Sequence, residues 1–267
     1  MKTRSHRWGM KLFILFTYVA MLVINTLAEL LPIGGVTTGE VSAAYPNLFA
    51  PAPYTFAIWG LIYLLLGLHT LYQLGFFQKV QKKVNTQLLD RVGLGFGISS
   101  LLNIAWIFAW HYEKIGLSVI LMLLLLLCLI LIMREISKET LSFKERFFIK
   151  LPFAVYFGWI TVATVANITT FLVSIGWDGF GISEEVWTII VLLITLAIGV
   201  ITMLRFRSLS YGLVLIWAYG GILAKHLSAS GFAGQYPMVI LTTLFALAVL
   251  TGMLIYLPLK RAKAARK

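Results

Sequence analysis

Charge is scarce in this chain: only 12% of its 267 residues are Asp, Glu, Lys or Arg, against about 25% in soluble domains. With 60% hydrophobic residues, a soluble domain would have little left to face water, so lipid is the solvent for most side chains. Acid is scarcer than base, with ten Asp and Glu against 22 Lys and Arg. The basic residues stand in short runs between long apolar stretches. That pattern describes membrane topology and argues against a nucleic-acid partner. The single cysteine, Cys128, lies inside LLLLLCLILIM. No disulfide can form within the chain, and the thiol reads as packed or lipid-facing. No charged residue falls in the middle of an apolar stretch, which weakens the case for an ion-coupled transporter or proton relay. The phosphate-binding loop, the zinc-protease helix, the nucleophile elbow and paired cysteines are also missing, so no catalytic residue and no metal site is assigned.

What is present is a series of apolar stretches: Met10–Leu31, Tyr54–Phe77, Val92–Trp110, Ile115–Met133, Leu151–Ile175, Val186–Leu204, Leu209–Leu227 and Met238–Leu257. Each is near the roughly 20 residues a transmembrane helix needs. The fold class is therefore all-α and integral to the membrane, a polytopic bundle of about eight helices. The seventh stretch is the most polar, holding Tyr219, Gly220, Gly221, Lys225 and His226. In the first, Lys2, Arg4, Arg7 and Lys11 precede an apolar core that ends without a small-residue cleavage pattern, and it reads as a retained helix.

The charges between the stretches test this count. With the N-terminus inside, 20 of the 22 Lys and Arg fall in inside segments, leaving only Lys114 and Lys225 outside, whereas six of ten acids are outside. The expectation is a cell-membrane protein with both termini cytoplasmic. Gly93 and Gly97 form a GxxxG pair that reads as a close helix contact. The outside segment Pro32–Pro53 lacks Lys and Arg, is partly apolar, and reads as a folded lid.

Aromatic and amide groups carry the remaining chemistry. Trp59 and Tyr63 share a helix face. So do Asn103, Trp106 and Trp110, and, in the fifth stretch, Tyr156, Trp159, Ala163 and Asn167. An amide in a span needs a partner and faces the bundle or a ligand. Trp8, Trp177 and Trp187 read as interfacial belts. His6, His69, His111 and His226 are isolated from one another and each reads first as an interfacial or hydrogen-bonded structural histidine, with a haem axial ligand as the alternative at His69 or His111. From spacing alone, a ligand cavity and simple helix packing both fit the three stripes.

These residues resemble the tryptophan-rich sensory protein/translocator protein family (TspO/MBR), whose pattern runs KPxWxPPxxxFxxxWxxLY, LNxxWSxxFF and PYxxWxxxAxxLN. In this chain YPNLFAPAPYTFAIWGLIY matches at Pro46, Pro51, Trp59 and Tyr63; LNIAWIFAW at Leu102, Asn103 and Trp106; and VYFGWITVATVAN at Tyr156, Trp159, Ala163 and Asn167. The family's loop lysine and tryptophan are Tyr45 and Leu48 here, the first proline of its pair is Ala50, and its phenylalanine falls at Thr55, next to Phe56. The resemblance implies a five-helix bundle over residues 1–175, with 176–267 as a three-helix extension. A similarity between IWGLIYLLLGLH and IWAYGGILAKH hints at duplication.

The resemblance further implies a receptor- or sensor-like protein that binds a flat hydrophobic ligand, porphyrin, haem or sterol-like. Trp59, Tyr63, Asn103, Trp106, Tyr156, Trp159 and Asn167 would form the site, under a lid carrying Pro46 and Pro51. No cofactor is required. The expected partners are the bilayer, a hydrophobic small molecule and a second copy of the chain. A transporter or permease subunit, tryptophan-dependent porphyrin breakdown and a purely structural role are the alternatives.

Overall fold

The computed structural model describes residues 2–31, 33–78 and 85–265, with side chains described from residue 8 to residue 260 within those ranges. Pro32 of the expected lid, Lys79, Lys82 and Lys83 of the second basic group, and the terminal Arg266 and Lys267 lie outside them. No strand occurs among the described residues, and the helices are α1 Lys2–Leu30, α2 Thr38–Ala43, α3 Ile58–Leu74, α4 Thr86–His111, α5 Ile115–Ser137, α6 Phe143–Glu145, α7 Leu151–Ser174, α8 Glu184–Phe206, α9 Leu209–Leu227 and α10 Pro237–Ala265.

Among the described residues, seven segments are long and apolar enough to cross a membrane: Trp8–Gly35, Pro53–Leu74, Thr86–His111, Ile115–Ser137, Phe143–Ser174, Glu184–Phe206 and Pro237–Lys260. The eighth expected span, α9, forms at the predicted bounds but does not reach the apolarity of the others. Its polar groups are used internally: the Tyr219 hydroxyl donates to Leu192 O at 2.6 Å and the Tyr211 hydroxyl to Thr161 Oγ1 at 3.1 Å. Large apolar side chains such as Phe16, Leu64 and Ile201 are more than 60% exposed. Lipid-facing helices present such faces without penalty. The protein is an all-α, multi-pass membrane protein.

The chain forms two compact units, Met1–Val41 with Trp59–Phe157, and Ser42–Ile58 with Gly158–Lys267. These boundaries differ from the expected division at residue 175. The break falls inside α7, and the segment expected as a lid is divided at Val41.

In the first unit, α4 is the central helix. Asn85 caps its start, its side chain accepting from Leu88 N at 3.0 Å. The GxxxG pair acts as expected: Gly93 meets the Ile14 side chain and Gly97 the Phe13 ring, both on α1. Gly95, half a turn away, meets Ile132 of α5, and its carbonyl accepts from Cys128 Sγ at 3.2 Å. Small residues on opposite faces let α4 approach two neighbours at once. In lipid, such packing and internal hydrogen bonds take over the role that hydrophobic burial has in water.

Pro152 explains a second local feature. It lacks an N–H and would crowd the carbonyl of Phe148 one turn earlier. The chain widens into a π turn over Arg146–Lys150, and His69 Nδ1 donates to Phe148 O at 2.8 Å. Gln73 Nε2 then reaches His69 Nε2 at 3.3 Å and Leu89 O at 2.9 Å. Both ring nitrogens of His69 are therefore engaged. His111 is engaged likewise, donating from Nδ1 to Ile33 O at 3.0 Å and accepting at Nε2 from Thr38 Oγ1 at 3.1 Å. Both histidines are thus hydrogen-bonded at each ring nitrogen, as the structural reading expects.

The second unit holds the rest of α7 with α8, α9 and α10. Ser183 caps α8 and Ser208 caps α9. Gly158 of α7 lies against Val214 and the Tyr211 carbonyl of α9, while Gly199 of α8 receives the Leu215 side chain. Residues 42–58 are stitched into this unit by main-chain and side-chain bonds. Leu48 N donates to Glu184 Oε1 at 3.1 Å, and Leu48 O lies 2.9 Å from His226 Nε2. Ala52 N donates to Gly221 O at 3.0 Å, and Trp217 Nε1 donates to Thr55 O at 2.9 Å.

Candidate ligand-binding site

Five of the seven expected site residues gather in the first unit. On α3, Trp59 and Tyr63 stand one turn apart with their rings stacked at 5.5 Å and 16°. On α4, Trp106 and Trp110 do the same at 5.6 Å and 22°. The Trp59 ring links these pairs, 6.4 Å from Trp106 and 6.0 Å, edge-on, from Tyr156 at the start of α7. Offset and edge-to-face arrangements at these separations contribute about 0.5–1.5 kcal/mol each beyond burial. Trp106 and Tyr156 are buried, whereas Trp59 and Tyr63 are partly exposed. The cluster therefore presents an indole and a phenol at its edge and keeps the other rings inside.

Behind the rings runs a line of amides. Asn103 is fully buried. It accepts at Oδ1 from Asn25 Nδ2 at 2.7 Å and donates from Nδ2 to the Tyr156 hydroxyl at 3.2 Å. Asn25 also donates to Met21 O at 2.8 Å. Sequence reasoning singles out Asn103 and Tyr156 but passes over Asn25, which stands near the end of the first span. The rule that marks Asn103, an amide in a span needing a partner, applies equally to Asn25 and would find it.

The segment Ile33–Val41 also belongs to this unit. It forms a short 3₁₀ turn and then α2. Thr38 ties it to α4, its carbonyl accepting from Trp110 Nε1 at 3.1 Å. Thr37 donates to Glu40 Oε2 from N–H and hydroxyl, at 2.7 and 2.9 Å. These bonds, the main-chain one foremost, hold the Glu40 carboxyl below the usual carboxylate range.

The other two expected residues, Trp159 and Asn167, lie on the part of α7 that belongs to the second unit, and both are buried. Trp159 packs edge-to-face on Phe56 at 5.9 Å and 85°. Phe56 stands one place from the motif's phenylalanine, and the position aligned with it, Thr55, is fully buried against Gly221. Pro51 is buried, while Pro46 is exposed at the rim of a cavity of about 480 Å³. That cavity lies within the second unit, between Asn47 and Phe49 on one side and the α7 end and α8 start on the other. Sequence reasoning misses it, because Trp177 and Trp187 in its wall read as interfacial anchors.

A family model described as TSPO-like protein matches residues 11–256. No curated protein and no solved structure matches the chain. The matched region runs through α8 and α9 and into α10, so the helices expected to be an extension lie within the region the family shares. The chain belongs to the TSPO-like family.

Proposed function

We infer that this membrane protein is a receptor- or sensor-like binder of a flat hydrophobic ligand, of porphyrin, haem or sterol-like shape. The observation that carries the reading is the partly exposed Trp59–Tyr63 stack, held from behind by Trp106 and Tyr156. A rigid π face of this kind suits a large ring, and the Asn25–Asn103–Tyr156 line supplies polar groups close by. Haem would bind by stacking without iron ligation by His69 or His111, whose nitrogens are already bonded.

Haem titrated into the purified protein should quench tryptophan fluorescence saturably. Trp59→Ala should weaken that binding about tenfold, the loss of roughly 1.4 kcal/mol of ring contact. Trp8→Ala, at an exposed position near the start of α1, should leave it unchanged. Equal affinity in the two variants would remove the cluster from the site.

We also propose that α9 crosses the bilayer with the seven more apolar helices, which places both termini in the cytoplasm of a cell-membrane protein. The 20 basic residues on one side of the alternation support this. Reporter domains fused at the two ends should both read as cytoplasmic. Opposite locations would mean an odd number of crossings.

A further inference from the structure

The cavity in the second unit has a chemistry of its own, independent of the ring cluster of the first. Three aromatic side chains wall it: Phe49, Trp177 and Trp187. Both charged residues in the wall are acids, Asp178 and Glu184, and among the described residues no Lys or Arg lines it. At about 480 Å³ it falls inside the range of about 300–1,000 Å³ typical of small-molecule sites.

The aromatic wall is locked in place. Trp187 Nε1 donates to Gly179 O at 2.7 Å, and the Trp177 ring lies 5.0 Å from Trp187. Gly179, at φ +66°, has the indole so close that a Cβ would lie 2.9 Å from Trp187 Nε1. Only glycine suits both the turn and the contact. Across the cavity, Asn47 Oδ1 accepts from the N–H groups of Phe49 and Ala50 at 3.1 and 2.8 Å, fixing the loop that carries the Phe49 ring. Walls already ordered before binding spare a ligand the entropy of ordering them.

Each carboxylate spends one oxygen on this framework. Glu184 Oε1 accepts from Leu48 N, and Asp178 Oδ1 accepts from Phe180 N at 2.9 Å. The second oxygens make no hydrogen bond among the described residues, so each carboxylate retains acceptor capacity in the wall of the cavity. The first turn of α8 would by itself favour an anion, but Glu184 and Glu185 already occupy it. Indole faces and carboxylates together favour one kind of guest, because the ring quadrupole and the acid charge both attract a cation.

We propose that this cavity binds an apolar molecule bearing a permanent or protonated cationic centre, with Trp177, Trp187 and Phe49 receiving the apolar body and Glu184 facing the charge. The test uses two ions of nearly the same shape and opposite sign, tetraphenylphosphonium and tetraphenylborate, titrated into the full chain in lipid nanodiscs, with empty nanodiscs subtracted. Tetraphenylphosphonium should bind saturably and tetraphenylborate should not. Glu184→Gln keeps an acceptor for Leu48 N–H but removes the charge, and should weaken tetraphenylphosphonium about tenfold. Val191→Trp, which fills the cavity without touching its charge, should abolish saturable binding. Circular dichroism checks that each variant is folded. Equal binding of the two ions, an unchanged affinity in folded Glu184→Gln, or no saturable binding to the folded wild type would overturn the proposal.

Discussion

Alanine at Gly221 should lower the unfolding stability of the purified protein by about 2–3 kcal/mol, whereas alanine at its neighbour Gly220 should leave it unchanged or raise it by up to about 1 kcal/mol. A Cβ at Gly221 would collide with Thr55 Oγ1 and stand 2.8 and 2.9 Å from Thr55 Cγ2 and Cβ. Thr55 is fully buried and short, so it has no flexible end to swing aside. The collision must move the backbone of residues 52–55, where Ala52 N meets Gly221 O and Thr55 O meets Trp217 Nε1. Helix propensity favours alanine at both positions by up to about 1 kcal/mol, and at Gly221 the overlap outweighs it. At Gly220 nothing lies within 4 Å of the added carbon. The Thr55 hydroxyl is buried without a hydrogen-bond partner among the described residues. Thr55→Ala removes the two closest atoms, Oγ1 and Cγ2, and leaves Cβ at 2.9 Å, so Gly221→Ala/Thr55→Ala should recover part of the loss. Thermal unfolding in detergent compares the four proteins, and similar shifts for the two glycines would refute the packing argument.

Asn103→Leu should cost about 2 kcal/mol, because one substitution takes a hydrogen bond from each of two buried groups. Asn25 Nδ2 loses one of its two acceptors, keeping Met21 O, and the Tyr156 hydroxyl loses its donor. A buried polar group left without a partner costs about 1–3 kcal/mol. Single interhelical hydrogen bonds in membranes average nearer 0.6 kcal/mol, which keeps the figure at the low end of that range for each group. Replacing both amides, as in Asn25→Leu/Asn103→Leu, should be less damaging than Asn103→Leu alone, since paired polar groups exchanged together for apolar ones are nearly neutral. A denaturation cycle over the four proteins measures the coupling. Additive losses would mean that the two amides do not depend on each other.

Properties that depend on neighbours along the chain are legible in the sequence alone. The helix period and the length of each apolar stretch mark all eight long helices, with α9 at its observed bounds. The GxxxG spacing marks the α1–α4 contact, and the burial of Asn103, Trp106 and Tyr156 follows from the cost of placing amides and stacked rings in lipid. What escapes depends on partners far along the chain. Leu48 and Glu184 are 136 positions apart, and Thr55 and Trp217 are 162 apart. No local pattern joins such pairs, so the aromatic wall at Trp177 and Trp187 reads as an ordinary interfacial belt. The division within α7 escapes for the same reason, since a continuous helical pattern carries no sign of which neighbours each half will find. Pro152 is the instructive intermediate case. Its missing N–H predicts a freed carbonyl at Phe148, but not that His69 would take it.

The stitching of residues 42–58 has a bearing on biosynthesis. Leu48 is made 178 residues before His226, its partner on α9. At a translation rate of about 5–20 residues per second, that interval is roughly 10–35 s. Until Trp217 is made, the main-chain groups of Leu48, Ala52 and Thr55 have none of their α9 partners, and a nascent chain stopped short of it never acquires them. The early helices can emerge and pair in order, but this strap closes last, waiting on nearly the whole length of the polypeptide.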